Sequence, residues 1–473
     1  MKISCALFLG LLAAGTALAE PWSPEPWLAD LEQMRQAFDT KYSNRDWLIR
    51  DREVDLAAMF DRNAKRLRDA GSDTEARVIL DRMIQRIGDG HVVLIWPSQA
   101  PTADASSSDV CTRLGYEPNR SSLGLGPALS GFQRVGSESD AFPAGTINVQ
   151  GTRVGVLRIS IFVPHWAPQF CHGALTELKI RPDQACDERC ADDVLTRTYE
   201  KLTSSLQDQV RALQAAGAKQ LLVDITSNGG GSEWVEAAAR VVSPRPLQSS
   251  RAGFVRGEHW TQYWRELAGK LRDAAAKANR TDRARLLAWA AEADSARQAA
   301  EKSCVGQSDC EWVARAGFAT GLVGSAPAGT FDGKPWGVDV FSPAQYPYRD
   351  SVWRGPVIVL VDDHTGSAAE EFAVLLQDNR AGIVLGARTV GAGCGYTNGG
   401  TPTTLNNTRA VLRLPDCVRF RADGSNETDG VIPDVLIGMR AQDGARFKAK
   451  LIEAKLPEAL QLAEKLMTTR ASP

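Results

Sequence analysis

A serine between a buried strand and a helix is the first candidate for chemistry. The segment 361–371 reads Val-Asp-Asp-His-Thr-Gly-Ser-Ala-Ala-Glu-Glu and follows the apolar run 357–361. A tight turn after such a strand places the Ser367 hydroxyl at the strand end. The N–H of Ala368 then falls in the first helical turn, where it has no helical partner. This pattern is typical of a nucleophile with an adjacent hydrogen-bond donor, or of a serine that only caps a helix.

Two other segments carry the groups that such a serine needs. Asp224 begins Asp-Ile-Thr-Ser-Asn-Gly-Gly-Gly, and free N–H groups in a glycine run suit an anion or an oxyanion. The run lacks the lysine of a phosphate-binding loop, which argues against a nucleotide site. His91 follows Gly-Asp-Gly at a helix-to-strand junction, and histidine is the usual base for a serine near neutral pH. Read alone, each segment is more often structural: a helix cap, a glycine turn, or a surface or structural histidine.

The elements around these segments predict an α/β fold with a mostly parallel sheet. Residues 154–162 alternate as a strand, and 191–217 carry apolar residues at steps of three and four, as an amphipathic helix does. Residues 220–226 form a buried strand, and 357–361 and 383–385 repeat that pattern around a second helix. Strand, helix and strand in this order indicate crossover connections between parallel strands.

The 473 residues leave room for several structural units. Lys2, a short apolar run and Ala17-Leu18-Ala19 are typical of a signal peptide cleaved before Glu20, so we expect an exported protein. The expected units are a signal peptide (1–19), an N-terminal helical domain (20–90), a loop-rich connector (91–150), the first part of a core (151–257), a helical insertion (258–318), the second part of the core (319–440) and a C-terminal helix (441–473).

The composition excludes several classes of protein. Acidic residues number 57 and basic residues 55, so the chain lacks the positive surface expected of a nucleic-acid-binding protein. No apolar run beyond the first segment approaches the ~20 residues of a membrane span. His165 and His172 flank Cys171 without the spacing of zinc ligands, and neither a metal nor another cofactor is predicted.

Export changes the interpretation of the cysteines. Eight remain after the signal segment, and an even number in an oxidising compartment predicts disulfides. The expected local pairs are Cys304 with Cys310 and Cys394 with Cys417. Cys186 and Cys190 are closer in sequence than the partners of most bridges.

Five motifs in a fixed order resemble the C-terminal processing (tail-specific) serine peptidases. They are Asp89-Gly90-His91, Asp224 with 228–231, 365–370, 386–391 and 430–434. The tricorn protease core and the retinoid-binding repeats of interphotoreceptor retinoid-binding protein belong to the same broad family. The resemblance implies an α/β core of the ClpP/crotonase type.

The resemblance also implies roles for single residues. Ser367 would be the nucleophile, and the N–H groups of Ala368 and Gly230 would form the oxyanion hole, with Gly231 as second choice. His364, three residues before the serine, is an alternative base that the turn is expected to direct at solvent.

The expected base follows from one position after the fourth motif at which this sequence differs from the processing peptidases. Ala392 stands where the processing peptidases have a lysine, so a Ser–Lys dyad is not available. The tricorn-like branch uses a histidine, which makes His91 the expected base. Gly90 replaces the serine that this branch has before its histidine, so the relay is incomplete. Glu427 would be the carboxylate that holds the imidazole or its hydrogen-bond chain, with Asp429 as a rival.

These inferences predict an exported serine endopeptidase whose partners are peptides or unfolded protein tails. A catalytically weak or inactive protein that binds peptides or hydrophobic ligands is the alternative, favoured by Gly90 and Ala392. An esterase is a third possibility, since the same groups cleave esters. The sequence carries no indication of the oligomeric state.

Overall fold

The computed structural model of the chain describes residues 22–97, 109–117, 124–136, 141–304 and 310–468. The expected signal peptide lies outside the described residues. The α-helices are α1 Glu25–Lys41, α2 Leu56–Arg68, α3 Asp73–Gln85, α4 Val110–Arg113, α5 Pro168–Leu178, α6 Glu188–Ala215, α7 Trp234–Val242, α8 Glu258–Lys277, α9 Arg280–Ala300, α10 Gly337–Val340, α11 Ala368–Asp378 and α12 Ala445–Thr468. The strands are β1 Val93–Ile95, β2 Gln133–Val135, β3 Ala144–Val149, β4 Thr152–Arg158, β5 Gln220–Asp224, β6 Arg251–Val255, β7 Val313–Phe318, β8 Val357–Val361, β9 Ile383–Gly386, β10 Thr403–Thr404, β11 Val411–Arg413, β12 Cys417–Phe420 and β13 Val435–Leu436.

The largest sheet of the described residues has the strand order β13-β9-β8-β5-β4-β3-β2. The strands from β13 to β4 are parallel, and β3 and β2 are added antiparallel. Two central strands, β5 and β8, are buried at every position, as expected for strands that are covered on both faces. This arrangement confirms the predicted α/β class with a mostly parallel sheet.

Helices cover both faces of this sheet. Leu213 of α6, Val241 of α7 and Phe372 of α11 belong to the apolar core on one face. Ile452 and Leu456 of α12 pack on the other face. The strands therefore run between two apolar layers, and their carboxyl ends, where the chain turns into α7 and α11, lie side by side.

The expected loop-rich connector contains more strand than its sequence indicates. β3 pairs with β4 along its whole length, with Thr146 opposite Gly155. The segment 144–149 gives little apolar alternation because small residues are needed there. A Cβ at Gly145 would lie 2.3 Å from the Phe132 ring, which packs directly on the strand.

The expected helical insertion consists of the antiparallel helices α8 and α9 and a strand. The helices separate at Asn279, whose side chain accepts a hydrogen bond from the N–H of Asp282 at 3.0 Å and so caps α9. The segment 258–318 then ends in β7, which forms a small antiparallel sheet with β6 and β12. That sheet connects the insertion to the core. Among the described residues, no helix is both long and apolar enough to cross a membrane.

Four disulfides are present in the described residues. The two predicted bridges, Cys304–Cys310 and Cys394–Cys417, are among them. Cys186 and Cys190 are also bridged, although their spacing argued against it, because the start of α6 brings their Cα atoms to 5.2 Å. Cys111–Cys171 joins α4 to α5 across 60 residues, a separation at which sequence gives no pairing signal.

Candidate active site

Ser367 lies at the turn between β8 and α11 with an unusual backbone conformation. Its φ is +56° and its ψ is −125°, a region that costs a non-glycine residue about 1–3 kcal/mol. The turn presents the hydroxyl away from the helix, and Oγ lies 3.0 Å from Nε2 of His91. The structure therefore brings together two residues that are 276 positions apart in the chain.

His91 is held by the N-terminal helical part of the chain through Asp89. The buried Asp89 accepts the N–H of His91 at 2.9 Å on one carboxylate oxygen. The other oxygen accepts hydrogen bonds from the Tyr42 hydroxyl at 3.0 Å and the Asn44 amide at 2.9 Å. Because these donors follow α1, the helical part fixes the backbone of His91 opposite Ser367.

The imidazole is neutral near pH 7. Burial first, and then the positive charges of Arg419 and Arg413, lower the pKa of His91 to about 4. The neutral ring can accept the proton of the Ser367 hydroxyl at Nε2. Its other nitrogen, Nδ1, is buried and has no side-chain partner within the described residues, while a hydrogen bond to the main chain of Cys394 opposes the fall of the His91 pKa.

Neither predicted carboxylate contacts His91. Both oxygens of Glu427 accept from Arg419, at 2.6 Å from Nε and 2.7 Å from Nη2. Asp429 accepts from the Trp47 indole at 3.0 Å. A buried guanidinium requires carboxylate partners, which explains why Glu427 is turned toward β12 rather than toward the imidazole. His364 is exposed, as expected, and its N–H donates to Asp362 at 3.2 Å.

Arg419 binds two buried carboxylates close to the site. Its guanidinium also donates to Glu371 at 2.8 Å, so one cation serves two carboxylates. Burial would lower the pKa of Arg419, but Glu371 and Glu427 outweigh it and raise that pKa. Burial raises the pKa of Glu371, against the opposing effect of Arg419. Sequence reasoning missed this cluster, because β12 reads as an ordinary short strand.

Two glycines of the second motif, Gly230 and Gly231, differ in whether their N–H group is free. The N–H of Gly230 donates to the Asn228 side chain at 2.9 Å, so it is not free. A Cβ at Gly230 would lie 2.7 Å from the Cβ of Ser367, which makes this glycine a steric requirement. The N–H groups of Gly231 and Ala368 make no hydrogen bond within the described residues, and both residues line the same cavity as Ser367. The second-choice glycine is thus the one whose donor is available.

One aspartate and one main-chain hydrogen bond fix the strand ends relative to each other. Asp362, after β8, accepts from the N–H of Ser227 at 2.7 Å and from its hydroxyl at 3.0 Å. The N–H of Gly366 donates to the carbonyl of Asn228 at 3.0 Å. The turn that carries the glycine run is therefore tied directly to the turn that carries Ser367.

The carboxylate of Glu370 binds groups from two separate segments of the site. It is fully buried, and one oxygen accepts from the N–H groups of Ser367 at 2.9 Å and Ala392 at 2.8 Å. The other oxygen accepts from the Gly391 N–H at 2.7 Å and from the Thr389 hydroxyl. Burial raises the pKa of Glu370, while these donors oppose the rise. This carboxylate joins the turn at Ser367 to the loop at Ala392.

A cavity of about 560 Å³ opens in front of Ser367 and His91. It lies between the core and the insertion, and Trp260, Tyr263 and Trp264 of α8 form part of its wall. The cavity brings the polar Ser367 and His91 next to an apolar surface, which suits a ligand that has both polar and apolar groups.

Comparison with known proteins gives a family and a fold. The model of peptidase family S41 matches residues 194–437, just over half of the chain. A crystal structure of mature CPAF is similar, with 14% sequence identity and a TM-score of 0.59 over 95% of this chain and 99% of that chain. The structure of mature CPAF complexed with lactacystin gives 14% identity and a TM-score of 0.57, over 94% of this chain and 99% of that chain. The comparison with curated protein sequences gives no match.

Proposed function

Since the chain belongs to peptidase family S41 and is a serine peptidase, we propose that it is an exported endopeptidase that uses a Ser–His pair. Its substrates are peptides or unfolded protein tails that enter the cavity beside α8. The observation that carries the proposal is the 3.0 Å contact between Ser367 Oγ and His91 Nε2 at the wall of that cavity. This assignment favours the histidine-using branch of the resemblance over the Ser–Lys branch, because Ala392 offers no amine.

The mechanism is acyl transfer through a covalent intermediate. Ser367 Oγ attacks the peptide carbonyl carbon while its proton passes to His91 Nε2. The carbonyl oxygen becomes an oxyanion, for which Ala368 and Gly231 supply unbonded N–H donors. His91 then protonates the leaving amine, and the C–N bond breaks. Water attacks the acyl-enzyme and gives a proton to His91. His91 passes this proton to Ser367 Oγ as the acyl–Oγ bond breaks, which releases the new carboxyl end and restores the serine.

Glu427 has an indirect place in this mechanism. Its two hydrogen bonds to Arg419 offset a cation that lowers the pKa of His91. Removing that carboxylate would make the imidazole a still weaker base. Glu427 therefore supports the base electrostatically, without the direct hydrogen bond of an aspartate in a Ser–His–Asp triad.

Labelling with a serine-directed fluorophosphonate tests the proposal. The reagent is expected to modify Ser367, and Ser367→Ala is expected to lose both the label and peptide hydrolysis. His91→Ala should slow both by roughly three orders of magnitude, the loss seen when a triad base is removed. His364→Ala is the matched control, because its exposed ring lies outside the proposed machinery.

Three results would contradict the assignment. Label on another residue would exclude Ser367 as the nucleophile. A loss under tenfold in His91→Ala, or a greater loss in His364→Ala, would exclude His91 as the base. A folded protein that takes no label would leave the alternative of a non-catalytic binding protein. Relative rates on a peptide and on a short-chain ester with the same acyl group separate a peptidase from an esterase.

Export has a separate test. The segment 1–19 and four disulfides in the described residues support an oxidising compartment outside the cytoplasm. The full chain expressed in bacteria should be recovered outside the cytoplasm with Glu20 as its first residue. Recovery in the cytoplasm with residues 1–19 intact would contradict export.

A further inference from the structure

The nitrogen of His91 that faces away from the nucleophile has no side-chain partner. In a Ser–His–Asp triad, a carboxylate at this position fixes the tautomer and the orientation of the ring. Here Nδ1 has no side-chain partner within the described residues, and Glu427 is bound to Arg419. The orientation of the imidazole must therefore come from other contacts.

The loop 394–396 supplies those contacts. The Tyr396 hydroxyl donates to the main-chain carbonyl of His91, and its ring meets the imidazole edge-on at 5.6 Å between centroids. The backbone at Gly395 lies against the ring, since a Cβ there would be 3.2 Å from Nε2. The main chain of Cys394 is close enough to favour the protonated imidazole. Three consecutive residues thus enclose the face and the edge of the base.

The loop is itself held on several sides. The Cys394–Cys417 disulfide attaches it to β12. The Gly395 carbonyl accepts the N–H of Asp416 at 3.1 Å. The Arg413 guanidinium lies 3.9 Å from the centre of the Tyr396 ring, a cation–π contact. A covalent bond, a main-chain hydrogen bond and a stacked cation therefore restrict its movement.

We propose that the loop 394–396, pinned by the Cys394–Cys417 disulfide, is the positioning element of His91, with Tyr396 as its principal positioning residue. It does for the imidazole what a carboxylate does in a Ser–His–Asp triad. The Asp89 carboxylate holds the N–H of His91, and the Tyr396 hydroxyl holds its carbonyl, so the backbone of the base is fixed on both sides. The inference rests on the proposed Ser–His mechanism for its effect on turnover, but not for its effect on the ring.

The first experiment replaces Tyr396 by phenylalanine, which keeps the ring and removes the hydroxyl. We expect kcat to fall roughly 10- to 100-fold, the loss that a small misplacement of a catalytic group produces, with KM within about twofold. Tyr348→Phe is the matched control, because it removes another buried tyrosine hydroxyl that makes no hydrogen bond in the described residues and lies outside the cavity. It should leave kcat unchanged.

The second experiment removes the disulfide. A Cys394→Ala/Cys417→Ala double variant is expected to lose kcat by at least tenfold. The Cys186→Ala/Cys190→Ala double variant removes a bridge at the start of α6, outside the site, and should retain kcat within twofold. If the first double variant fails to fold, Tyr396→Phe still tests the loop, since it leaves all four bridges intact.

A measurement on the ring separates this inference from the proposed function. The chain has five histidines, so selective 15N-histidine labelling in a Ser367→Ala background gives resolvable imidazole signals. His91 should show a single tautomer with the proton on Nδ1, and adding Tyr396→Phe should produce a mixture of tautomers. This outcome would support the positioning role even if the parent chain took no fluorophosphonate label. Unchanged kcat in both loop variants, or an unchanged tautomer, would overturn it.

Discussion

The carboxylate of Glu370 offers the sharpest test of how the site is held together. Glu370→Gln keeps the shape of the side chain and removes one acceptor oxygen. The best orientation of the amide keeps its oxygen on the N–H groups of Ser367 and Ala392. Its NH2 group then faces the N–H of Gly391, while the Thr389 hydroxyl can rotate to accept from it.

The expected cost follows from this inventory. One buried N–H loses its partner, at about 1–3 kcal/mol, and two hydrogen bonds to a charged oxygen become ordinary ones. Loss of a buried charge offsets part of this, since burial already raises the pKa of Glu370. We therefore expect Glu370→Gln to lower the free energy of unfolding by about 2 kcal/mol. Glu370→Ala leaves three buried N–H groups without partners and should cost about 4 kcal/mol or more.

Urea unfolding at pH 7 measures these differences, and fluorophosphonate labelling reports the site. Labelling of Ser367 should slow at least tenfold in Glu370→Gln, because the side chain that holds the Ser367 turn loses its hydrogen bond from the Gly391 N–H. Glu458→Gln is the control, since its exposed carboxylate pairs with Lys455 at 2.9 Å and should change stability by less than about 0.5 kcal/mol. A Glu370→Gln chain as stable as the parent and labelled at the parent rate would refute the reasoning.

Three further predictions concern the same centre. The pKa of His91 near 4 predicts that labelling rises with pH through about 4 and is flat near neutrality. An unfolded histidine titrates near 6.5, so the unfolded chain binds this proton more readily than the folded chain does. Lowering the pH from 6.5 to 4 should therefore reduce the free energy of unfolding in urea of the parent, relative to His91→Ala, by on the order of 3 kcal/mol. Gly90→Ala places a Cβ 2.6 Å from that of Ala392, so it should cost about 1–3 kcal/mol in urea and slow labelling. Gly230→Ala combines a φ of +109° with the close approach to Ser367, so labelling should fall more than 100-fold, whereas Gly229→Ala, which meets no atom within 4 Å, should keep the parent rate.

Segments that are far apart in the chain could be predicted to meet at the site, because the apolar runs that form the strands, and therefore the strand ends, can be recognised in the sequence. The apolar runs at 220–226 and 357–361 identify neighbouring parallel strands, and both turn into helices at the same edge of the sheet. Residues placed just after those runs must lie close together. His91 needed the family resemblance as well, because no periodicity relates a helix-to-strand junction in the N-terminal part to that edge.

Which glycine of the run has a free N–H group was harder to predict from the sequence. Gly230 and Gly231 are equivalent as residue types, and both have positive φ. The signal that separates them is Asn228, because an asparagine side chain often accepts from the N–H two residues later. That local hydrogen bond occupies Gly230 and leaves Gly231 available. Reading the asparagine as a turn residue, rather than only as part of a motif, would have exchanged the two choices.

The carboxylate partner of the base could not be read from sequence for a different reason. Glu427 occupies the position that the motifs predict, but its direction depends on a buried cation that no motif contains. Arg419 lies in β12 and is surrounded by apolar residues of that strand, so its guanidinium must find acids within reach. Arg419 binds both Glu427 and Glu371, so these carboxylates do not hold the imidazole, which contacts the loop 394–396 instead. The arrangement around His91 is therefore decided by the partners that one buried arginine requires.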